Sequence, residues 1–269
     1  MISHCLTIAK PDQGTVNEDA VLATASMVAV SDGAGGGGVF ADMWASYLLD
    51  HLPTIPLTSF EELDGWIDGI WEPFFNDREH YAKSIDDAML LSKFYEEGSF
   101  ATLAAIWAGD TIRWATYGDS VAFHYDFATK ILHSSIAHLS DFANAPSLIS
   151  CKDSLALDGF ACGEFDKTDA SAYFVASDAL AHYILMMYMV ANKSQFACEL
   201  EYVLNLHDKN SNLVKSALAL SGIDFEQLLT KLLGIRREHN FRQHLNSLRR
   251  KHLLALDDYS LAVMTLGGK

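Results

Sequence analysis

The sequence contains no long hydrophobic run. No stretch approaches the ~18 uninterrupted apolar residues that a membrane span requires. The most apolar segment, Ala179 to Ala191, carries His182 and several Met and Tyr residues, which suits a buried helix. Cysteine is scarce. Cys5, Cys151, Cys162 and Cys198 are scattered without a C-x-x-C pair, which argues against a zinc finger and a disulfide framework, and suits reduced core thiols. Cations are scarce too: 19 Lys and Arg against 35 Asp and Glu give a formal charge of −16. Such a chain repels nucleic acid at long range, because phosphate-backbone binding needs clustered Lys and Arg. The short Arg249-Arg250-Lys251 run reads as a solvated helix end, where cations complement the dipole. Met1-Ile2-Ser3-His4 has no basic segment leading into an apolar core, so no signal peptide is expected and a cytoplasmic location is. His4, His51, His124, His133 and His182 show no H-x-x-x-H or H-E-x-x-H spacing, and they read as structural.

What is present is ordinary for a globular chain: 269 residues, 50% hydrophobic and 20% charged. No repeat or low-complexity linker divides it, so one domain over residues 1–269 is expected. Ile2 to Ile8, Ala20 to Thr24 and Met27 to Ser31 read as strands. A glycine run, Gly33 to Gly38 with Ala34 inside it, leads into a helix in which Phe40, Met43, Trp44, Tyr47, Leu48 and His51 recur at spacings of three and four. A second helical stretch, Ser59 to Tyr95, is expected to break near Pro73. Phe100 to Ala108, Thr111 to Tyr117 and Val121 to Tyr125 read as strands joined by hairpins at Gly109-Asp110 and Gly118-Asp119-Ser120. Lys130 to His133 adds a strand, and residues 137–168 look irregular. Ala172 to Ser177 reads as a strand, residues 194–254 as helical throughout, and Ser260 to Leu266 as a final strand. Hairpins plus helical blocks predict an α+β fold of mainly antiparallel sheets covered by helices. Trp44, Trp107 and Trp114 sit on apolar faces and read as core.

Several carboxylates fall at abrupt ends of apolar strands. Asp32 ends Val28-Ala29-Val30-Ser31, and Asp178 ends Phe174-Val175-Ala176-Ser177. Asp257 and Asp258 precede the last strand, Asp119 lies in a tight turn, and Glu18 and Asp19 open the second strand. A strand end is a rigid mount. Carboxylates that converge there repel one another unless a cation neutralises them, and hard divalent ions such as Mg²⁺ and Mn²⁺ prefer such oxygen donors. Taken singly, each Asp-Gly or Gly-Asp pair is an ordinary turn.

In order, Asn17-Glu18-Asp19-Ala20, Val30-Ser31-Asp32-Gly33-Ala34-Gly35-Gly36, Gly98-Ser99-Phe100-Ala101-Thr102, Tyr117-Gly118-Asp119-Ser120-Val121-Ala122, Ala176-Ser177-Asp178-Ala179-Leu180 and Asp257-Asp258-Tyr259-Ser260-Leu261-Ala262-Val263 resemble the motif series of the type 2C (PPM) metal-dependent serine/threonine protein phosphatases, bacterial relatives included. The resemblance implies a four-layer α-β-β-α sandwich with a two-metal site at one edge. It implies that Asp32 bridges two Mg²⁺ or Mn²⁺ ions, that the Gly33 carbonyl ligates one, and that Glu18 or Asp19 helps hold it. Asp178 and Asp257 would hold the other ion, and Asp119 matches the position of a third, weaker one. The implied activity is hydrolysis of phosphoserine and phosphothreonine on proteins, with a cognate kinase as an implied partner. Residues 137–168 match the family's variable flap, and residues 194–254 are long for their place and suit a partner surface.

The chain departs from the family pattern in four places. Gly14 stands where the family often has a phosphate-gripping Arg, Ala34 where eukaryotic relatives place a His, Ala179 where a Gly is usual, and Asp258 where an Asn is usual. Two other functions are therefore kept in view. One is a phosphatase-fold scaffold that is weakly active or inactive. The other is a nucleotide-binding protein using Gly33 to Gly38, which satisfies G-x-G-x-x-G but lacks the second parallel strand with a terminal acid that a dinucleotide fold needs.

Overall fold

A computed structural model describes residues 2–11, 16–36 and 38–265. Twelve strands and eight α-helices are found among them. The strands are β1 (Ile2–Ile8), β2 (Ala20–Ala23), β3 (Met27–Ser31), β4 (Phe100–Ala101), β5 (Leu103–Ala108), β6 (Ile112–Tyr117), β7 (Val121–Asp126), β8 (Ile131–Ser134), β9 (Ile149–Ser150), β10 (Phe160–Phe165), β11 (Ser171–Ala176) and β12 (Tyr259–Thr265). The helices are α1 (Ala41–Asp50), α2 (Phe60–Ser84), α3 (Ala88–Glu97), α4 (Asp178–Ala191), α5 (Ala197–Asn205), α6 (Lys209–Leu218), α7 (Phe225–Leu233) and α8 (Glu238–Arg250). No described helix is long and apolar enough to cross a membrane.

Two five-stranded sheets form the centre, in the orders β1-β12-β11-β7-β8 and β10-β6-β5-β3-β2. Every strand pairing is antiparallel. This disagrees with the parallel sheet that a dinucleotide-binding reading of the glycine run would need.

The layering follows from the two-residue period of strands. In β3, Met27 and Ala29 face α1–α3, while Val28 and Val30 face the other sheet. In β11, Ala172, Phe174 and Ala176 face α4–α8, while Tyr173 and Val175 face inward. β12 divides in the same way, with Leu261 and Val263 outward and Ala262 and Met264 inward. Three apolar layers result: helix on sheet, sheet on sheet, sheet on helix. This is the expected α+β, α-β-β-α sandwich. Within the outer helical layer α4 is buried from Ala179 to Val190, which matches its largely apolar sequence.

Three local expectations are corrected. Pro73 does not break its helix; it lies inside α2 on an exposed face, where water can reach the Gly69 carbonyl that loses its partner. The break falls instead at residues 85–87, where Asp86 takes φ 54° and the Asp87 side chain accepts from Leu90 N to start α3. Gly118-Asp119-Ser120 is not a hairpin. It carries the chain from one sheet to the other, because β6 and β7 belong to different sheets. Residues 137–168 are not irregular throughout, since β10 extends a central sheet alongside β6. The described part of the last strand is Tyr259–Thr265, and Leu266 lies outside the described residues.

Candidate metal centre between the sheet ends

Strand register brings the predicted carboxylates to one end of the sandwich. Ala20 pairs with Ser31, so the next residues along, Asp19 and Asp32, leave β2 and β3 at the same end. Thr102 N donates to the Asp32 carbonyl at 2.8 Å, which adds the start of β5. In the facing sheet Ala176 pairs with both Leu261 and Val121, so Asp178, Asp257 and Asp119 leave that sheet at one common end. The 118–120 crossover joins the two ends. Gly118 makes it possible: its φ is 87°, and a Cβ there would lie 2.7 Å from Thr102 Cγ2.

The two-residue period also fixes which side chains enter the gap. Val21, Val30, Ala104, Ala122, Val175 and Ala262 face between the sheets. Two residues toward the site from each stand Asp19, Asp32, Thr102, Ser120, Ser177 and Ser260. The apolar layer thus grades into hydroxyls and then carboxylates. Thr102 Oγ1 and Ser120 Oγ are 2.7 Å apart, Ser260 N donates to Ser177 Oγ at 3.0 Å, and Ser260 Oγ donates to Thr7 Oγ1 at 2.8 Å.

The electrostatics are those of crowded anions. Asp19 is only 7% exposed, and neither of its carboxylate oxygens has a hydrogen-bond partner. Burial raises its pKa to about 7 and Asp258 pushes the same way; the nearby Ser260 and Ser177 hydroxyls pull back only in part, with the Ser260 proton directed at Thr7. Asp32 is raised well above its usual value, first by burial, then by repulsion from Asp19, Asp178, Asp119 and Asp257. Asp178 rises to about 8, through burial and then Asp119 and Asp257, although Ala179 N donates to its Oδ1. Asp119 rises to about 6, mainly by burial, with Asp257 adding and Lys209 opposing. Asp257 is raised by burial, while the Asp258 amide, Lys10 and Lys209 hold it down.

Asp19, Asp32, Asp119, Asp178 and Asp257 therefore share one electrostatic environment. Glu18 stands apart from it. The Glu18 carboxylate turns toward Lys10, 3.9 Å away, and toward Gly35, where a Cβ would lie 1.9 Å from Glu18 Oε1. Gly33 N donates to the Glu18 carbonyl at 3.2 Å. Gly14 lies outside the described residues.

Among the described residues no three His, Cys, Asp or Glu side chains stand close enough to form a ready-made metal cluster. The five aspartates still influence one another electrostatically. Their chemistry nonetheless fits a hard divalent cation. All are oxygen donors on rigid mounts, and Asp19 offers two buried oxygens with no other partner.

Sequence reasoning missed one participant, Lys209, and the role of another, Asp258. Lys209, the first residue of α6, comes from the far helical segment to act on Asp119 and Asp257. Asp258 holds the backbone at Lys10 and Glu18. The only local signal for Lys209 is a cation at a helix N-terminus, against the preference set by the dipole.

The backbone of the chain is similar to those of several solved structures. It superimposes on the serine/threonine phosphatase PstP/Ppp of Mycobacterium tuberculosis with a TM-score of 0.53 at 14% identity, covering 99% of each chain. The fold is that of the PPM-type serine/threonine phosphatases. Stp1 of Staphylococcus aureus gives 0.53 at 14% identity over 99% of this chain and 95% of that one. A bacterial serine phosphatase gives 0.52 at 13% over 100% and 99%. No family model and no curated protein sequence matches the chain. In this PPM-type fold the aspartates occupy the end of the gap between the two central sheets.

Proposed function

We propose that the chain is a metal-dependent phosphatase acting on phosphoserine and phosphothreonine in proteins. The observation that carries this reading is the convergence of Asp19, Asp32, Asp119, Asp178 and Asp257 at one end of the intersheet gap, where burial and mutual repulsion leave them short of positive charge. Asp32, with Asp19 and the Gly33 carbonyl, would hold one Mg²⁺ or Mn²⁺; Asp178 and Asp257, with Asp32 between, would hold a second. Asp119 would hold a third, weaker ion, and Glu18, its carboxylate turned toward Lys10, would stand beside the first. Bound there, such ions supply Lewis acidity, which lowers the pKa of a water and offsets the charge of a phosphate ester.

The chain's own residues do the rest. Asp32 shares its charge between both halves of the site. Thr102 N, bonded to the Asp32 carbonyl, and the intersheet hydroxyls tie together the strand ends that carry the carboxylates. Lys209 contributes a positive charge that can meet a substrate phosphate, a role for which residues 12–15 have no Arg. We read residues 1–269 as one phosphatase-like unit. Residues 137–168 would act as a flap that selects substrate, since β9 in that stretch pairs with β4 beside Gly33. Residues 194–254 would form an outer helical layer open to a partner, with the kinase that phosphorylates the same substrates as its functional counterpart.

The test is hydrolysis of p-nitrophenyl phosphate and of a phosphothreonine peptide with and without Mn²⁺. Mn²⁺-dependent turnover that disappears in Asp32→Ala supports the proposal. Turnover that ignores both the metal and Asp32 overturns it. A scaffold reading is favoured by one observation, that the described residues include no preformed ligand cluster. Mn²⁺ binding without turnover of either substrate would select it.

A further inference from the structure

The surroundings of Asp258 give both of its carboxylate oxygens a partner. Its side chain is buried at 4% exposure just before β12. Oδ1 accepts from Lys10 N at 2.7 Å and Oδ2 accepts from Glu18 N at 2.8 Å. Two oxygens thus serve two backbone donors from opposite ends of one segment. A carboxamide has a single acceptor oxygen, and its NH₂ would face the second N–H.

The consequences reach the acidic site through covalent and hydrogen-bonded neighbours. Glu18 is fixed at its N–H by Asp258 and at its carbonyl by Gly33 N, 3.2 Å away. Gly33 follows Asp32 directly, and Asp19 follows Glu18. On the other side Asp257 Oδ1 accepts from Asp258 N at 3.0 Å, which orients Asp257. Asp19, Asp32 and Asp257 are therefore each within one residue of a group that Asp258 anchors directly or through Glu18.

We infer that Asp258 is a positioning residue, a two-point carboxylate clip that sets Asp19 and Asp257 relative to Asp32. The inference rests on the metal reading for its functional meaning but on hydrogen bonds alone for its geometry. Partners that orient metal ligands without touching the metal typically govern affinity by about 10- to 100-fold.

Amide hydrogen exchange on the wild-type chain is the first test. Lys10 and Glu18 amides should be protected like the neighbouring strands, and fast exchange at both overturns the clip. Asp258→Asn should then lose protection at one of the two amides and bind Mn²⁺ about 10- to 100-fold more weakly by calorimetric titration. Lost protection with unchanged Mn²⁺ affinity overturns the positioning role. Lys10→Pro separates geometry from charge, because it removes one donor and one cation while leaving the carboxylate. Charge alone predicts tighter Mn²⁺ binding, whereas loss of the clip predicts weaker binding, so tighter binding overturns the inference. If Asp258→Asn does not fold, wild-type exchange and Lys10→Pro still decide. If the wild-type chain takes up no Mn²⁺, the metal reading fails separately, and amide exchange alone decides whether the clip exists.

Discussion

The middle and the end of the intersheet gap are built from the same strands and obey opposite rules. In the middle, Val28, Val30, Ile106, Val175 and Ala262 exclude water and need nothing beyond shape. At the end, two residues beyond Val30, Val175 and Ala262, the same faces present Asp32, Ser177 and Ser260, and Asp258 lies two residues beyond Ser260. The middle contributes stability. The end consumes it, because Asp19 is buried with no hydrogen-bond partner on its carboxylate and Asp32 is disfavoured by burial and by four neighbouring aspartates. Local destabilisation within a well-packed scaffold is the pattern expected where function requires a group that the fold alone does not satisfy.

Substitutions should separate these regions. The largest effect is expected at Asp32. Asp32→Asn should reduce Mn²⁺-dependent turnover by roughly 10²–10⁴-fold, the scale on which positioned catalytic groups act. In metal-free buffer the same variant should melt higher than wild type, because it removes a charge repelled by four aspartates. Each kcal/mol of relief should raise Tm by roughly 2–4 °C. A loss of both activity and stability would erase the contrast between end and middle.

Ile106→Ala, in the middle, should do the reverse. It should cost about 2–5 kcal/mol in denaturant unfolding, with little change in turnover per folded molecule.

The pH dependence sharpens the comparison further. The folded pKa values of Asp19, Asp119 and Asp178 lie at about 7, 6 and 8, above the ordinary 3.8, so the native state binds more protons than the unfolded chain between these limits. Stability of the metal-free protein should therefore fall as pH rises from about 4 toward 8. Mn²⁺ should flatten that slope, which calorimetric melts across pH can measure. Asp32→Asn should flatten part of it without metal.

The smallest effect is expected at Lys209. Lys209→Ala should raise KM for a phosphothreonine peptide several-fold, on the scale of about 1 kcal/mol for a partly solvated charge pair, with kcat nearly unchanged. Lys209→Arg should restore KM.

The element order and the acidic strand ends were legible because they are local patterns. Val28-x-Val30-x-Asp32 states both the strand and the face from which its carboxylate projects. The resemblance to phosphatase motifs agreed with the fold that these patterns build. What was not legible depends on partners distant in the chain. Whether Gly118-Asp119-Ser120 closes a hairpin or changes sheets depends on where β10 and β11 lie. Pro73 is tolerated because its side of α2 meets water. The Asp258 clip spans more than two hundred residues to Lys10 and Glu18, and Lys209 reaches Asp119 and Asp257 only because α6 packs on α4. Glu18 and Asp19 are adjacent and equal in the motif, yet register turns Asp19 into the gap and Glu18 toward Lys10.

The most direct measurement is anomalous scattering from a crystal of the wild-type chain soaked in Mn²⁺. The account predicts strong peaks at the end of the intersheet gap, within bonding distance of Asp32 and shared with Asp178 and Asp257. Peaks confined to the outer surface, or no peaks while the aspartates stay apart, would contradict it.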